Sequence, residues 1–126
     1  MTPEDIARIE KELGVVLPQE YRAVMTRPEA GGEDYSYTYG TLYNNADEVI
    51  KQTRFNRDLC ESFGKPFPHT WVVVSQVNMS DPVLIDTTQI SPRLMLLDHE
   101  TNEVSENWGE QVAEFVDWAL KHVPGQ

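Results

Sequence analysis

The residues of this chain that could do chemistry are few and widely separated. Asp98, His99 and Glu100 place an imidazole between two carboxylates, which suits an acid/base pair or half of a metal site. The same three residues suit a hydrogen-bonded turn, and this is the interpretation that we favour. The single cysteine, Cys60, falls in an apolar helical stripe. We therefore expect Cys60 to be a small core residue rather than a nucleophile.

Aspartates at the ends of predicted strands offer a second chemistry. Asp81, Asp86 and Asp98 could hold a divalent cation if one end of a sheet brought them together. Their spacing matches no calcium loop, and aspartates at strand ends commonly cap turns. The sequence also lacks the nucleophile-elbow, phosphate-loop, dinucleotide and zinc-protease motifs. We expect no metal, no cofactor, no catalytic residue and no enzyme activity.

A tyrosine-rich segment carries the clearest signal for binding. Tyr35, Tyr37 and Tyr39 alternate with small residues, so they share one face if the segment is extended. Tyrosine offers a large rigid surface with a polar tip, and it is enriched in interface cores. One or two tyrosines of the segment are expected to pack on the sheet, and the others to bind a partner. The predicted binding rim also contains flanking and loop carboxylates: Glu33, Asp34, Asp81 and Asp86.

Composition limits the class of partner. Ten Lys and Arg against 21 Asp and Glu give a formal charge of −11. This charge argues against nucleic-acid binding, which depends on cationic contacts to phosphates, and it favours a basic partner, although solubility alone is an alternative explanation. No apolar run approaches the roughly 20 residues that span a bilayer, and no signal peptide is recognised. We expect one cytoplasmic domain over residues 1–126, as a monomer or weak homodimer.

The opening of the chain predicts two short helices joined by a turn. Thr2 is a good N-cap, followed by Pro3 at the first helical position and Asp5 at the third. Gly14 is expected to end this helix in a left-handed conformation. Pro18 restarts helical geometry. The predicted result is a helical hairpin with one shared apolar face.

The rest of the chain predicts a helix, a run of strands and a final helix. Asn45 and Glu48 suit a capping box at the start of the middle helix, whose predicted outer face carries the basic residues Lys51, Arg54 and Arg57. Its predicted apolar stripe contains Val49, Ile50, Thr53, Asn56, Cys60 and Phe63. Strands are predicted at 71–77, 83–86, 93–98 and near residue 104, and an amphipathic helix from about residue 107. This order favours an α+β fold with an antiparallel sheet of about four to six strands.

Several of these motifs occur in an order that resembles one family. The acidic first helix, the turn Gly14-Val15-Val16-Leu17-Pro18 and the second helix bearing Tyr21 resemble the opening of the SMI1/KNR4 (SUKH) family. The run from Asp81 to Thr88 resembles that family's Gly-Asp-Pro strand, except that Ser80 replaces the glycine. The resemblance implies the SUKH fold, with a C-terminal helix after the strands.

The resemblance also implies a function. Many bacterial members of the family are immunity proteins, which bind and neutralise toxins delivered between competing cells. On this basis we expect a basic protein toxin as the partner, because toxins that attack nucleic acids must be basic and would be attracted by an acidic protein. The alternative is an intracellular scaffold or regulatory interaction domain, as fungal members of the family are thought to be.

Overall fold

The computed structural model describes residues 1–26, 42–43, 45–77, 81–98, 100–101 and 103–105. Within these ranges the protein has three helices and four strands. The helices are α1 (Pro3–Leu13), α2 (Gln19–Met25) and α3 (Ala46–Ser62). The strands are β1 (Trp71–Val77), β2 (Asp81–Asp86), β3 (Met95–Leu97) and β4 (Val104–Ser105). None of the helices in these ranges has the length and apolarity that crossing a membrane requires.

The predicted helical hairpin is confirmed, including its caps. The Thr2 hydroxyl accepts the Asp5 N–H at 3.2 Å, and the Asp5 carboxylate accepts the Thr2 N–H at 2.9 Å, which completes a capping box. Gly14 ends α1 with φ 67°, a conformation in which a Cβ is strained. Pro18 is the N-cap of α2 rather than its first residue. The two helices are therefore set by local sequence.

Helix α3 begins as predicted but ends differently. The Asn45 side chain caps it by accepting the Glu48 N–H at 2.8 Å, whereas the Glu48 carboxylate accepts from the Gln52 amide one turn later. The predicted stripe is buried from Val49 to Cys60. Phe63 was assigned to this stripe, and that assignment is wrong. The chain leaves the helix at Phe63, so its ring is 62% exposed.

The sheet is antiparallel, with strand order β1-β2-β3-β4, which confirms the α+β class. Strand β2 starts at Asp81, two residues earlier than predicted, because Asp81 and Pro82 pair with the end of β1. Strand β3 is shorter than the predicted 93–98. A register shift between Val73 and Ser75 marks a β-bulge in β1.

Both faces of the sheet are buried, and the alternation of side chains in β2 shows this directly. Val83 and Ile85 point into a large core that they share with the three helices. Leu84 points the other way, into a smaller core that contains Cys60 of α3. On that side Phe67 packs edge-to-face on Trp71, with ring centroids 5.6 Å apart. The predicted C-terminal helix lies outside the described residues.

Candidate binding surface

The predicted tyrosine surface lies outside the described residues, because Glu33, Asp34, Tyr35, Tyr37 and Tyr39 all do. The structure does describe the last tyrosine of the segment. The backbone N–H of Tyr43 donates to the Val74 carbonyl at 2.8 Å, at the bulge of β1, and its half-buried ring packs against both cores. One tyrosine of the segment therefore packs on the sheet. The segment leads directly into α3, which Asn45 caps two residues later.

The two strand carboxylates of the predicted rim are not neighbours. Asp81 opens β2 and Asp86 closes it. Asp86 is five positions after Asp81, so an extended strand places their Cα atoms about 17 Å apart. The idea that the sheet brings both to one rim is therefore wrong, because they are the first and last residues of one extended strand.

Asp86 holds the loop between β2 and β3. Its Oδ1 accepts hydrogen bonds from the Thr88 N–H at 3.0 Å and from the Thr88 hydroxyl at 2.7 Å. On one side of the loop the Thr87 hydroxyl donates to the Thr70 carbonyl, and on the other the Ser91 hydroxyl donates to the Glu20 carboxylate. Such contacts are typical of an aspartate that caps a turn.

The predicted turn at Asp98 is confirmed in its described part. The Asp98 N–H donates to the Glu103 carbonyl at 3.0 Å, and the Asp98 carboxylate accepts the Glu100 N–H at 2.8 Å. His99 lies outside the described residues. Asp98 comes directly after β3, which runs antiparallel to β2. Asp98 therefore lies at the start of β2, whereas Asp86 lies at its end. A cation shared by Asp81, Asp86 and Asp98 is therefore excluded, and the described ranges contain no group of three possible metal ligands.

Cys60 is the core residue that the sequence predicts. Its side chain has no exposed surface and packs against Val73, Leu84 and Leu97. Burial raises the pKa of the Cys60 thiol because a thiolate would lose its hydration. A thiol in this state is a poor nucleophile.

The basic residues of α3 do not form a free stripe. Arg54 donates to the Glu12 carboxylate at 2.6 Å and to the Glu12 carbonyl at 3.1 Å. The Arg57 Nη2 donates to the carbonyls of Leu13 and His69, at 3.4 and 2.8 Å. Helix α1 ends with carbonyls that lack partners within the helix, and these arginines supply donors. The prediction of an outer face holds for Lys51 and Arg54, which are exposed, and is wrong for Arg57, which is half-buried against the end of α1. Lys51 alone of the three has no such contact among the described residues.

Two other cations of the described ranges, Arg8 and Lys65, are also paired. Arg8 binds the Asp47 carboxylate. The Lys65 ammonium lies 3.4 Å from the Glu103 carboxylate. Pairs as exposed as these contribute roughly 0–1 kcal/mol each. The two charges of each pair cancel, so the pairing leaves the formal charge of −11 unchanged.

Two shallow pockets open on the described surface, and neither has the character of a ligand site. One, of about 340 Å³, lies beside Arg57, Glu61, Lys65 and His69. Arg57 there donates to the His69 carbonyl, and Lys65 is paired with Glu103. The other, of about 440 Å³, is a groove between α1 and α2 lined by Ile6, Glu10 and Arg22 among others. Both pockets are open to solvent, and charged side chains line part of each.

Exposed apolar side chains on α3 were not expected from the sequence. Phe55 is 59% exposed and Phe63 is 62% exposed, and the half-buried Leu59 lies between them. The sequence signal is three apolar residues at four-residue steps, of which Phe55 and Leu59 lie beside the predicted core stripe and Phe63 was included in it. We call these three residues the outer flank of α3. Val16 and Ile90 are exposed singly, on turns.

Comparison with known protein families matches residues 1–114 to the SMI1 / KNR4 family (SUKH-1). Comparison with curated proteins finds no match, and comparison with solved structures finds none either. The matched residues cover most of the chain and contain both the helical hairpin and the sheet described above. The chain therefore belongs to the SMI1/KNR4 (SUKH-1) family.

Proposed function

We propose that this protein is an immunity protein, which binds a cognate antibacterial toxin and neutralises it by contact. The observation that carries the proposal is membership of the SMI1/KNR4 family over residues 1–114. The resemblance of the sequence to that family implies this role for bacterial members. The partner in this proposal is a basic protein, with a nucleic-acid-targeting toxin as the favoured class.

The charge of the chain supports a basic partner. The formal charge is −11, and Arg8, Arg54 and Lys65 are already paired with carboxylates of the same chain. An acidic surface attracts a cationic protein over distances of about a Debye length, roughly 8 Å at physiological ionic strength, and so accelerates encounter. The same charge disfavours binding to nucleic acid.

The roles of the chemistry-bearing residues support a function without catalysis. Asp86 caps a loop, Asp98 stabilises a turn and Cys60 fills a core. Neutralisation requires only that the toxin's active site be covered or distorted, so the inhibitor needs no reactive group of its own. We propose accordingly that the protein has no enzyme activity, acts in the cytoplasm, and is a monomer or weak homodimer.

The tyrosine segment remains part of this proposal. Tyr35, Tyr37 and Tyr39, with Glu33 and Asp34, would supply aromatic anchors ringed by carboxylates to a basic cleft. Asp81 or Asp86 would extend this rim at one end of β2, but not both together, because they lie at opposite ends of the strand.

The test is rescue of growth. A toxin domain encoded next to the gene for this chain is expressed in a heterologous bacterium, alone and together with this protein. The proposal predicts that growth stops with the toxin alone and is restored by co-expression, and that a different SUKH-family protein does not restore it. The scaffold alternative predicts no rescue with any neighbouring gene product.

A further inference from the structure

Helix α3 has one flank tied to the rest of the protein and an opposite flank that is exposed. On the tied side, Arg54 and Arg57 donate to the end of α1, and the Thr53 hydroxyl accepts the Val73 N–H at 2.9 Å. These contacts come from three points along the helix and join it to α1 and β1. The helix is therefore held firmly, and its other side chains are presented in a fixed direction.

The outer flank, made of Phe55, Leu59 and Phe63, contains two of the four large apolar side chains that are exposed in the described ranges. Residues at four-residue steps drift by about 40° per step, so the two phenylalanines lie about 12 Å apart along the same side of the helix. Phe63 is fixed although it ends the helix, because its N–H donates to the Leu59 and Cys60 carbonyls, both at 3.2 Å. Exposed aromatic groups on an ordered element lose little conformational entropy on binding.

We propose that the outer flank of α3 is the anchor by which this protein binds its basic partner; this inference rests on the proposed function. The charges around the flank select that partner. Glu48 and Asp58 lie on α3 within one or two turns of Phe55, where Lys51 is the nearest cation of the exposed side. Lys65, two residues after Phe63, is paired with Glu103 and adds no net charge. Two further cations of α3, Arg54 and Arg57, are hydrogen-bonded to the end of α1, and Arg54 is also paired with the Glu12 carboxylate. An apolar stripe with an acidic border fits a basic protein surface with an apolar groove.

The experiment measures the dissociation constant between this protein and the toxin domain encoded beside its gene, purified with its catalytic residue replaced. The variants are Phe55→Ala and Phe63→Ala. The matched controls are Val16→Ala and Ile90→Ala, which truncate apolar residues that are equally exposed or more so, at 73% and 88%, but lie elsewhere. Loss of about 2 kcal/mol at an anchor corresponds to a roughly 30-fold weaker affinity. We expect this loss for each phenylalanine, less than about threefold for each control, and unchanged melting temperatures.

A charge variant and a hydrogen-exchange measurement of the complex complete the test. Asp58→Lys is expected to slow association and to reduce its dependence on salt, whereas affinity of the Phe variants should fall through faster dissociation. Hydrogen exchange of the unmodified complex should show protection over residues 52–63, and this measurement does not depend on whether any variant folds.

The outcomes that contradict the inference are distinct. If the unmodified protein binds but both Phe variants bind normally, or protection lies elsewhere, the outer flank is not the anchor and the proposed function stands. Loss of binding in Tyr35→Ala alone would place the anchor on the tyrosine segment instead. If the unmodified protein dimerises through Phe55 and Phe63 in sedimentation experiments, the occupant is a second copy. If it does not bind the toxin domain at all, both the inference and the proposed function are wrong.

Discussion

Arg57 and His69 together close the end of the first helix. The Arg57 guanidinium donates to the His69 carbonyl at 2.8 Å, and the His69 Nε2 lies 3.0 Å from the Gly14 carbonyl. Partial burial, and secondly the charge of Arg54, lower the pKa of Arg57. Three elements therefore meet at one point: the end of α1, the middle of α3, and the loop before β1.

Arg57→Ala should destabilise the protein although Arg57 has no carboxylate partner among the described residues. The substitution leaves backbone carbonyls of Leu13 and His69 without this donor, and hydrogen bonds to charged groups contribute roughly 1.5–3 kcal/mol. We expect a loss of about 2 kcal/mol in the free energy of unfolding, measured in urea. The control is Lys51→Ala on the exposed side of the same helix, which should change stability by less than about 0.5 kcal/mol. Equal losses in the two variants would show that the Arg57 contacts contribute nothing.

Thr53→Val should lower the free energy of unfolding, because valine keeps the shape of the threonine side chain but removes its hydroxyl acceptor. The Thr53 hydroxyl is buried and accepts the Val73 N–H at the bulge of β1. A buried N–H that loses its partner costs about 1–3 kcal/mol. Thr101→Val, in an exposed turn, is the control. A variant as stable as the original protein would mean that the bulge finds another acceptor.

Tyr21→Phe, unlike the two preceding substitutions, should not lower the free energy of unfolding. The Tyr21 hydroxyl is buried in the large core, burial raises its pKa, and it has no hydrogen-bond partner among the described residues. Removing an unsatisfied buried hydroxyl is expected to leave stability unchanged or to raise it by up to about 1 kcal/mol. Calorimetric melting of the two proteins checks this. A clear drop in melting temperature would indicate a partner for Tyr21 outside the described residues.

Asp5 predicts a dependence of stability on pH. The Thr2 N–H donates to its carboxylate and lowers the pKa of Asp5 below the ordinary 3.8, so the folded protein favours the ionised form. The stabilisation is present above pH 3.8 and is lost as the pH falls through the depressed value. We expect Asp5→Asn to cost about 0.3–1 kcal/mol at pH 7, as for a charge at a helix N-terminus. In urea unfolding between pH 7 and pH 2.5 the difference should shrink as the pH falls below 3.8, and a constant difference would contradict this origin.

Features determined by neighbouring residues were predictable from the sequence. The caps at Thr2, Gly14 and Asn45 each depend on atoms within a few residues, and β1 was predicted with its observed bounds. Burial of Cys60 followed from helical periodicity.

Features determined by distant residues were not predictable. Arg54 and Arg57 reach α1, more than 40 positions earlier in the chain, and no local pattern indicates this. The separation of Asp81 from Asp86 depends on strand bounds, and the predicted strand began only at residue 83. Phe63 fits the helical period, but the helix ends at that residue.

The most direct test of the central claim is a titration of the toxin's own activity. The purified toxin domain encoded beside the gene for this chain turns over its substrate while increasing amounts of this protein are added, at low and at high salt. The account predicts that turnover falls to background at a one-to-one ratio, that onset of inhibition is slower at high salt, and that this protein alone has no turnover. Undiminished turnover at a tenfold excess, or turnover by this protein that His99→Ala or Asp98→Ala abolishes, would contradict it.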